Sequence, residues 1–347
     1  MNTLRRLRLI AETAPQSGIL LAWPHPVTDW KDTLESVEAC YCEIAARILD
    51  HEALLVVCRD GAHREHVREL LSQSGLPQEA VQFYIAPIND TWIRDYGPLT
   101  VSTGAGLRLL DFAFDGWGKK YPANLDDAVT ARLCTAGVFG ATPCQRDPFV
   151  LEGGSIDTDG HGTLLTTSRC LLQNSRNPGY GRQALEQLFA QRMGVEHILW
   201  LEHGGLEGDD TDAHIDMLAR FCSPRIIAYT SCADPADSQH AGLAAMERQL
   251  GGFRDLRGQP YRLVPLPLPQ PIRDAAGKRL PASYANFLVI NGAVLVPVYD
   301  DPADSLALER LAGCFPDREI VAVDSLPLIQ QFGSLHCATM QLPEGVL

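Results

Sequence analysis

Residues 18–23, Gly18-Ile19-Leu20-Leu21-Ala22-Trp23, form a short apolar run that ends at Pro24. The run has the length of a buried β-strand and is far shorter than the ~20 apolar residues of a membrane-spanning helix. Runs of the same kind recur at residues 53–58, 81–88, 107–114, 162–167, 226–230, 287–290, 293–299 and 319–323. The chain therefore predicts a series of short, buried strands.

Helix-like segments separate these runs, at residues 33–48, 62–74, 124–135, 180–191, 239–250 and 302–314. Strands and helices that mix along a whole chain are typical of an α/β fold. No linker rich in serine, glycine or proline divides the sequence, and the proline-dense stretch 264–272 predicts an extended edge segment. We therefore predict a single domain that spans residues 1–347.

The composition limits the class of partner. With 46% hydrophobic and 21% charged residues, the sequence is typical of a folded globular protein. Its net charge of −14 argues against nucleic acid or an anionic membrane as a partner and fits a small cationic substrate. The N-terminal cluster of Arg5, Arg6 and Arg8 is not followed at once by the apolar segment of a signal peptide, so we expect a cytoplasmic protein.

Ten cysteines are scattered irregularly, without a CxxC pair, and nine are predicted to be reduced structural thiols. The tenth, Cys337, follows a glycine-containing turn and enters a short strand. It is either a buried core thiol or a nucleophile. The adjacent His336 would point to the opposite face of an extended segment, so a histidine distant in sequence is the better base.

A second polar cluster, residues 208–216, combines His214 with several aspartates. On an extended segment His214 and Asp216 point to the same face, where one can transfer protons while the other holds a cation. A divalent metal site is an alternative, although no HxH or HxxxH spacing is present. A third interpretation is an aspartate-rich helix cap alone.

Two more motifs carry carboxylates near strand ends. Asp95 lies among aromatic residues before a Gly-Pro turn, and such a carboxylate suits a planar cation such as guanidinium; a plain surface turn is the alternative. Glu152 precedes Gly153-Gly154, which permits a close backbone approach. Glu152 could support an imidazole or be exposed in a β-turn. Residues 157–162 predict a hairpin turn.

The polar signatures are spaced roughly 50 to 70 residues apart, around Trp23, Asp95, Glu152, His214, Asn286 and Cys337. This spacing suggests a repeated supersecondary unit that delivers one polar loop per copy to a common centre. A cysteine, a histidine and several carboxylates are also what displacement of ammonia from a guanidinium requires. The carboxylates hold the cation, the thiolate attacks its central carbon and the histidine protonates the departing ammonia.

The motifs resemble, in order, those of the bacterial agmatine deiminase family of the guanidine-modifying superfamily, which is related to the bacterial peptidylarginine deiminases. They lie at residues 89–98, 110–112, 116–118, 151–155, 171–178, 210–216, 280–287 and 336–337. The resemblance implies an α/β fold of the five-bladed propeller (pentein) type, with pseudo-fivefold repeats and a central active site. It also implies hydrolysis of agmatine to N-carbamoylputrescine and ammonia, in polyamine biosynthesis, without a metal or an organic cofactor.

By position, Cys337 matches the family nucleophile and His214 its general acid/base. Asp95 and Asp216 match the carboxylates that hold the guanidinium, and Glu152 matches the residue that orients the histidine. Motif residues expected near the substrate are Trp92, Trp117 and Asn286, and candidate partners of the substrate amine are Asp29, Asp115 and Asp210.

The sequence departs from many agmatine deiminases around Trp117 and just before Cys337, and these departures bear on recognition of the substrate tail. The alternatives are therefore a deiminase of peptidyl or free arginine, a non-catalytic guanidine- or polyamine-binding protein, and a metal-dependent hydrolase. A homodimer is one assembly that the sequence leaves open.

Overall fold

The computed structural model describes residues 7–347, so Arg5 and Arg6 of the N-terminal cluster lie outside the described residues. The strands of this part are β1 (Arg8–Leu9), β2 (Gln16–Ala22), β3 (Ala53–Cys58), β4 (Val81–Ile85), β5 (Leu99–Thr103), β6 (Gly106–Ala113), β7 (Cys144–Val150), β8 (Ile156–Thr158), β9 (Thr163–Thr167), β10 (His197–Leu201), β11 (Ala219–Ser223), β12 (Ile226–Ser231), β13 (Arg262–Pro267), β14 (Leu288–Ile290), β15 (Ala293–Val298), β16 (Glu319–Asp324) and β17 (Thr339–Pro343). The helices are α1 (Leu34–Leu49), α2 (Gly61–Gln73), α3 (Gly116–Lys119), α4 (Val129–Thr135), α5 (Ser168–Leu171), α6 (Arg182–Met193), α7 (His240–Gly252), α8 (Asp304–Ala312) and α9 (Leu326–Ile329).

Helix α1 shows why these segments form. Its buried residues Val37, Tyr41, Ile44 and Ile48 recur at the spacing of one helix face, so one stripe packs against the sheet and the rest meets solvent. Strand β2 is instead apolar on both faces, as expected of a strand that lies inside a layered α/β fold. The two periodicities in the sequence therefore separate helix from strand.

The strands form five small sheets, with the orders β1-β5-β6-β7, β10-β9-β8, β11-β12-β13, β14-β15-β16 and β17-β2-β3-β4. Each sheet has a strand that pairs antiparallel with one neighbour and parallel with the other; these strands are β2, β6, β9, β12 and β15. In every case a helix lies in the connection to the parallel partner. The predicted α/β class is confirmed, and the same unit recurs in the five sheets.

Besides residues 10–15, which join β1 to β2, five connections lead from one sheet to the next: residues 86–98, 151–155, 202–218, 268–287 and 325–338. They contain, in order, Asp95, Glu152, His214, Asn286 and Cys337. Each of these five connections thus contributes at least one residue of the predicted site. Trp23 does not belong to this set, because its indole is fully buried in the core and donates a hydrogen bond to Glu38 at 3.3 Å.

The cysteines require one correction. Cys134 at the end of α4 and Cys144 at the start of β7 form a disulfide, with 6.3 Å between their Cα atoms. The prediction that nine cysteines are reduced thiols is therefore wrong for this pair, because the intervening turn brings together two cysteines that the spacing alone does not relate. The eight other cysteines are free.

Two local predictions are confirmed. The proline-dense stretch supplies β13, which is an edge strand of its sheet. Residues 159–162 form the turn of the antiparallel hairpin β8–β9. In residues 7–347, no helix combines the length and the apolar character that a membrane crossing would need.

Candidate active site

A cavity of about 560 Å³, including the space at its open mouth, is lined by residues from three of the sheet-to-sheet connections and from the segments that follow β2 and β6. Among its lining residues are Cys337, His214, Trp92 and Trp117. Six aspartates also line it, namely Asp29, Asp90, Asp95, Asp209, Asp210 and Asp216. Within residues 7–347, no lysine or arginine side chain contributes to the wall. An acidic wall of this kind favours a cationic ligand.

The Cys337 thiol lies at the inner end of this cavity and is 8% exposed. The amide of Asn286 donates to its Sγ at 3.2 Å, while the side-chain oxygen of Asn286 accepts the backbone N–H of His336 at 2.9 Å. Burial, together with the carboxylates of Asp216 and Asp95, raises the pKa of the Cys337 thiol well above its ordinary value. Without a nearby cation, the thiol is therefore neutral. Asn286 thus holds the turn that carries Cys337.

Asp95 and Asp216 face the cavity from two different connections. Asp95 accepts the indole N–H of Trp117 on Oδ2 and the backbone N–H of Gly154 on Oδ1, each at 2.8 Å. Asp216 places Oδ2 at 2.9 Å from Nδ1 of His336, while its buried Oδ1 has no hydrogen-bond partner among residues 7–347. Burial tends to raise the pKa of Asp216, but the hydrogen bond from His336 and nearby positive charge hold it below its ordinary value. Asp216 is thus an anion with one oxygen free for a ligand.

His214 precedes a single turn of 3-10 helix, Ile215–Met217, so residues 214–216 do not form the extended segment that was considered for them. The side chains of His214 and Asp216 nevertheless both reach the cavity wall. Nδ1 of His214 lies 3.7 Å from Oδ1 of Asp95. Burial lowers the pKa of His214, but the carboxylate of Asp95, the adjacent sulfur of Cys170 and the carboxylate of Glu152 outweigh it and hold the pKa well above the ordinary value. The imidazole is therefore protonated and can act as an acid.

Glu152 lies behind His214 and does not line the cavity. One oxygen accepts the Nε–H of Arg176 at 2.7 Å, and the other has no partner in the described part of the chain. The atoms of Glu152, Cys170 and His214 that could bind a metal ion lie within 4.8 Å of one another, a spacing that one ion could bridge. The guanidinium of Arg176 beside Glu152 opposes a second cation there, so the position suits support of His214 better.

The outer part of the cavity contains Asp29, Asp90 and Asp210. Oδ2 of Asp210 accepts the hydroxyl of Tyr121 at 2.8 Å. Asp115, a predicted partner of the amine, does not line the cavity. Its carboxylate instead accepts the backbone N–H of Gly118 at 2.7 Å and caps the turn that carries Trp117, so this expectation is wrong for a structural reason. Asp29 and Asp210 do reach the wall.

Several contributors were not singled out from the sequence. Asp90 and Arg176 lie inside the motifs 89–98 and 171–178. The sequence therefore contained the signal, but neither residue was given a role. Tyr121 follows the Trp117 loop, lines the cavity and donates its hydroxyl to Asp210. Glu12 contacts His336 across the fold and has no distinctive sequence around it.

The chain matches the family model described as Porphyromonas-type peptidyl-arginine deiminase over residues 8–343. A crystal structure of a Porphyromonas gingivalis protein proposed to be an arginine deiminase is 47% identical, with a TM-score of 0.92 over 98% of this chain and 99% of its own. A substrate-bound cysteine-to-serine variant of the agmatine deiminase of C. jejuni is 33% identical, with a TM-score of 0.91 over 98% and 97%. The agmatine deiminase of Pseudomonas putida is 32% identical over 97% of this chain and 95% of its own. The chain therefore belongs to the Porphyromonas-type peptidyl-arginine deiminase family, within the group that its motifs resemble.

Proposed function

We propose that this protein is an agmatine deiminase, which hydrolyses the guanidinium of agmatine to N-carbamoylputrescine and ammonia and serves polyamine biosynthesis. The observation that carries the proposal is the cavity beside Cys337, lined by six aspartates and, within residues 7–347, by no lysine or arginine. Agmatine bears a cation at each end and no carboxylate. Arginine would bring a carboxylate against this acidic wall and lose affinity.

In the proposed first step, Asp95 and Asp216 hold the guanidinium in its plane, and the free Oδ1 of Asp216 accepts one of its N–H groups. The bound cation stabilises the Cys337 thiolate, so the thiol releases its proton to solvent and the sulfur bonds to the guanidinium carbon. His214 gives a proton to the departing nitrogen. The carbon–nitrogen bond then breaks and ammonia leaves.

The second step hydrolyses the amidino-thioether. His214, now neutral, takes a proton from water, and the water oxygen bonds to the same carbon. The carbon–sulfur bond breaks, the proton of the added hydroxyl passes to the departing sulfur of Cys337, and N-carbamoylputrescine forms. Glu152 supports the imidazolium during this cycle, and no metal or organic cofactor takes part. Trp92 and Trp117 form walls around the substrate, and Asn286 holds the turn of the nucleophile.

We also propose that the five sheets close into a five-bladed α/β propeller, a single catalytic domain with its active site at the centre. The repeated unit of strand pair, helix and parallel strand supports this arrangement. The five sheet-to-sheet connections, each with one residue of the site, support it further. A homodimer stays a prediction.

A deiminase of free or peptidyl arginine is the second candidate. The family description and the 47% identical P. gingivalis relative favour it. Against it, Lys120, which follows the Trp117 loop, is already paired with Asp212 at 2.8 Å rather than left for a substrate carboxylate.

The test is ammonia release from agmatine, from free arginine and from a peptide with C-terminal arginine, by the purified protein and by Cys337→Ala. Preference for agmatine that is lost in the variant supports the proposal. Preference for an arginine substrate keeps the chemistry and replaces the substrate. If no ammonia is released from any of the three substrates, a binding protein is favoured. Loss of activity on chelation would instead favour a metal-dependent hydrolase.

A further inference from the structure

A buried row of charged groups lies behind Asp216. Oδ2 of Asp216 is 2.9 Å from Nδ1 of His336, and Nε2 of His336 is 2.9 and 3.0 Å from the two oxygens of Glu12. His336 is fully buried and does not line the cavity. The substrate therefore does not reach His336, which can act on the reaction only through Asp216.

The geometry defines the protonation state of His336. A neutral imidazole has one N–H and one nitrogen lone pair, so only one of its nitrogens can donate. Here each nitrogen lies at hydrogen-bond distance from a carboxylate oxygen, and a lone pair against either carboxylate would be repelled. The lowered pKa values of Asp216 and Glu12 make both carboxylates anions, and between two anions both contacts are favourable only when His336 is an imidazolium, with two charge-assisted hydrogen bonds.

Glu12 is held in place as the anion at the other end of this row. It pairs with Arg94 at 3.1 Å and with Arg220, and it accepts the side-chain amide of Gln341 at 3.0 Å. Glu12 belongs to the connection between β1 and β2 and is 324 residues from His336 in sequence. The two ends of the chain thus meet directly beneath the site.

We propose that His336 is a positioning residue, kept as an imidazolium by Glu12, that fixes Asp216 as an anion with Oδ1 directed at the substrate guanidinium. The proposal rests on the proposed function and extends it, because it assigns a second histidine with a role distinct from that of His214. His214 transfers protons, whereas His336 keeps its proton throughout the cycle. Without His336, Oδ2 of Asp216 would lose its donor and the carboxylate would rotate or take up a proton.

This role predicts a change in pH dependence. The charged and titratable groups around Asp216 are His336, His214, Arg220, Arg94, Asp95 and Cys337. Burial favours the protonated acid, and His336 is the foremost of the groups that oppose it. Loss of this cation therefore raises the pKa of Asp216, so the anion, and with it activity, is lost at a higher pH than in the parent protein.

The experiment compares pH profiles of kcat/KM for the parent protein, His336→Gln and Glu12→Gln. We expect a roughly 10- to 100-fold lower kcat/KM at neutral pH in His336→Gln and an acid limb displaced to higher pH, with the same displacement to a smaller extent in Glu12→Gln. The control is His63→Gln, which removes a buried histidine that bonds to Pro24 far from the site and should leave the profile in place. A reduced kcat/KM with an unmoved acid limb in both site variants would overturn the proposal.

A second readout does not depend on turnover. In the full-length protein labelled with ¹⁵N-histidine, both ring nitrogens of His336 should show imidazolium shifts at neutral pH, and this signature should weaken in Glu12→Gln. A neutral His336 in the parent protein would overturn the proposal even if His336→Gln fails to fold. If the parent protein releases no ammonia from any guanidine while its His336 is an imidazolium, the proposed function is wrong. The charge state assigned to His336 between Asp216 and Glu12 would then still be confirmed.

Discussion

The Sγ atom of Cys337 lies 3.5 Å from Oδ2 of Asp216, so the nucleophile is in contact with a carboxylate. A thiolate at this position would face a second negative charge in a buried site, which is costly. The cation that removes this cost is the substrate itself. In the proposed mechanism the site therefore activates its thiol when a guanidinium occupies it.

The reactivity of Cys337 in the free protein should show this dependence. Because the pKa of Cys337 is raised well above its ordinary value, its alkylation by iodoacetamide should keep accelerating with pH past about 8.5, the ordinary pKa of cysteine. The rate is measured by mass spectrometry of the peptide that contains Cys337, since other cysteines also react. A rate that levels off near neutral pH would show a thiolate already present and contradict the prediction.

Replacement of Cys337 by serine should abolish turnover and preserve the fold. Serine is nearly isosteric and adds no charge, but its hydroxyl is a far weaker nucleophile here, so we expect kcat to fall by more than about 1,000-fold. Ammonia release measures activity, and circular dichroism with thermal unfolding measures the fold. Cys232→Ser is the matched control, because Cys232 is a free, partly exposed cysteine outside the cavity. Near-normal turnover in Cys337→Ser would refute the nucleophile.

The sequence predicted the residues of the inner site better than those of the outer site. Asp95, His214 and Cys337 each stand in a recognisable local motif, because their chemistry requires a fixed turn around them. Their convergence depends on tertiary structure: Cys337 and Asp216 touch although they are 121 residues apart. No local pattern encodes such a contact; the spacing of the polar signatures suggested a common centre, and the family resemblance assigned the motifs to one site.

Proximity in sequence was a poor guide at the mouth of the cavity. Asp115 lies two residues from Trp117, yet it turns back to cap the loop, in which Trp117 has a φ of 58°. Asp90 lies in a quoted motif and lines the wall, although its carboxylate was not considered. Glu12 is a single acidic residue near the N-terminus, and its neighbours give no sign that it reaches the centre. The direction of a side chain in a loop depends on backbone angles that spacing does not reveal.

Asp210, which lines the outer cavity, and Asp115, which does not, provide a test of how the substrate tail is recognised. Asp210→Asn should raise the KM for agmatine about tenfold with little change in kcat, because it removes a charge from the outer cavity and leaves the reacting end intact. Asp115→Asn is the matched control and should leave KM unchanged, since asparagine can still accept the N–H of Gly118. Steady-state kinetics on agmatine decide the matter. Equal effects of the two changes would remove Asp210 as the partner of the amine.

The indole of Trp117 should matter through its N–H group as well as its bulk. Trp117→Phe keeps an aromatic ring but removes the donor to Oδ2 of Asp95, a buried carboxylate. We expect kcat/KM to fall about tenfold, since a hydrogen bond to a charged group contributes about 1.5–3 kcal/mol. Trp200→Phe is the control, because it removes an indole hydrogen bond to Glu186 outside the cavity. A loss of stability without a change in kcat/KM for Trp117→Phe would indicate a purely structural indole.

Gly154 offers the sharpest steric test of the site. A Cβ atom at this position would lie 2.7 Å from Nδ1 of His214, 2.9 Å from Oδ2 of Asp216 and 2.9 Å from Oδ1 of Asp95. These distances are shorter than van der Waals contact, so a methyl group must displace the three side chains by several tenths of an ångström. Because small misplacements of reacting groups reduce rates steeply, we expect Gly154→Ala to lower kcat about 100-fold. The kinetics should be compared with thermal unfolding, which reports whether the fold survives the change.

The matched control for this change is Gly242→Ala in α7, where an added Cβ meets no atom within 4 Å. Alanine favours the helix over glycine by about 0.8–1 kcal/mol, so this variant should keep full activity and unfold at a slightly higher temperature. Full activity in Gly154→Ala would mean that His214, Asp95 and Asp216 tolerate displacement, and the proposed grip of the two carboxylates on the guanidinium would then be wrong. A fold that survives together with a lost rate would instead show that the bare backbone at Gly154 lets the imidazole and the two carboxylates close around one substrate group.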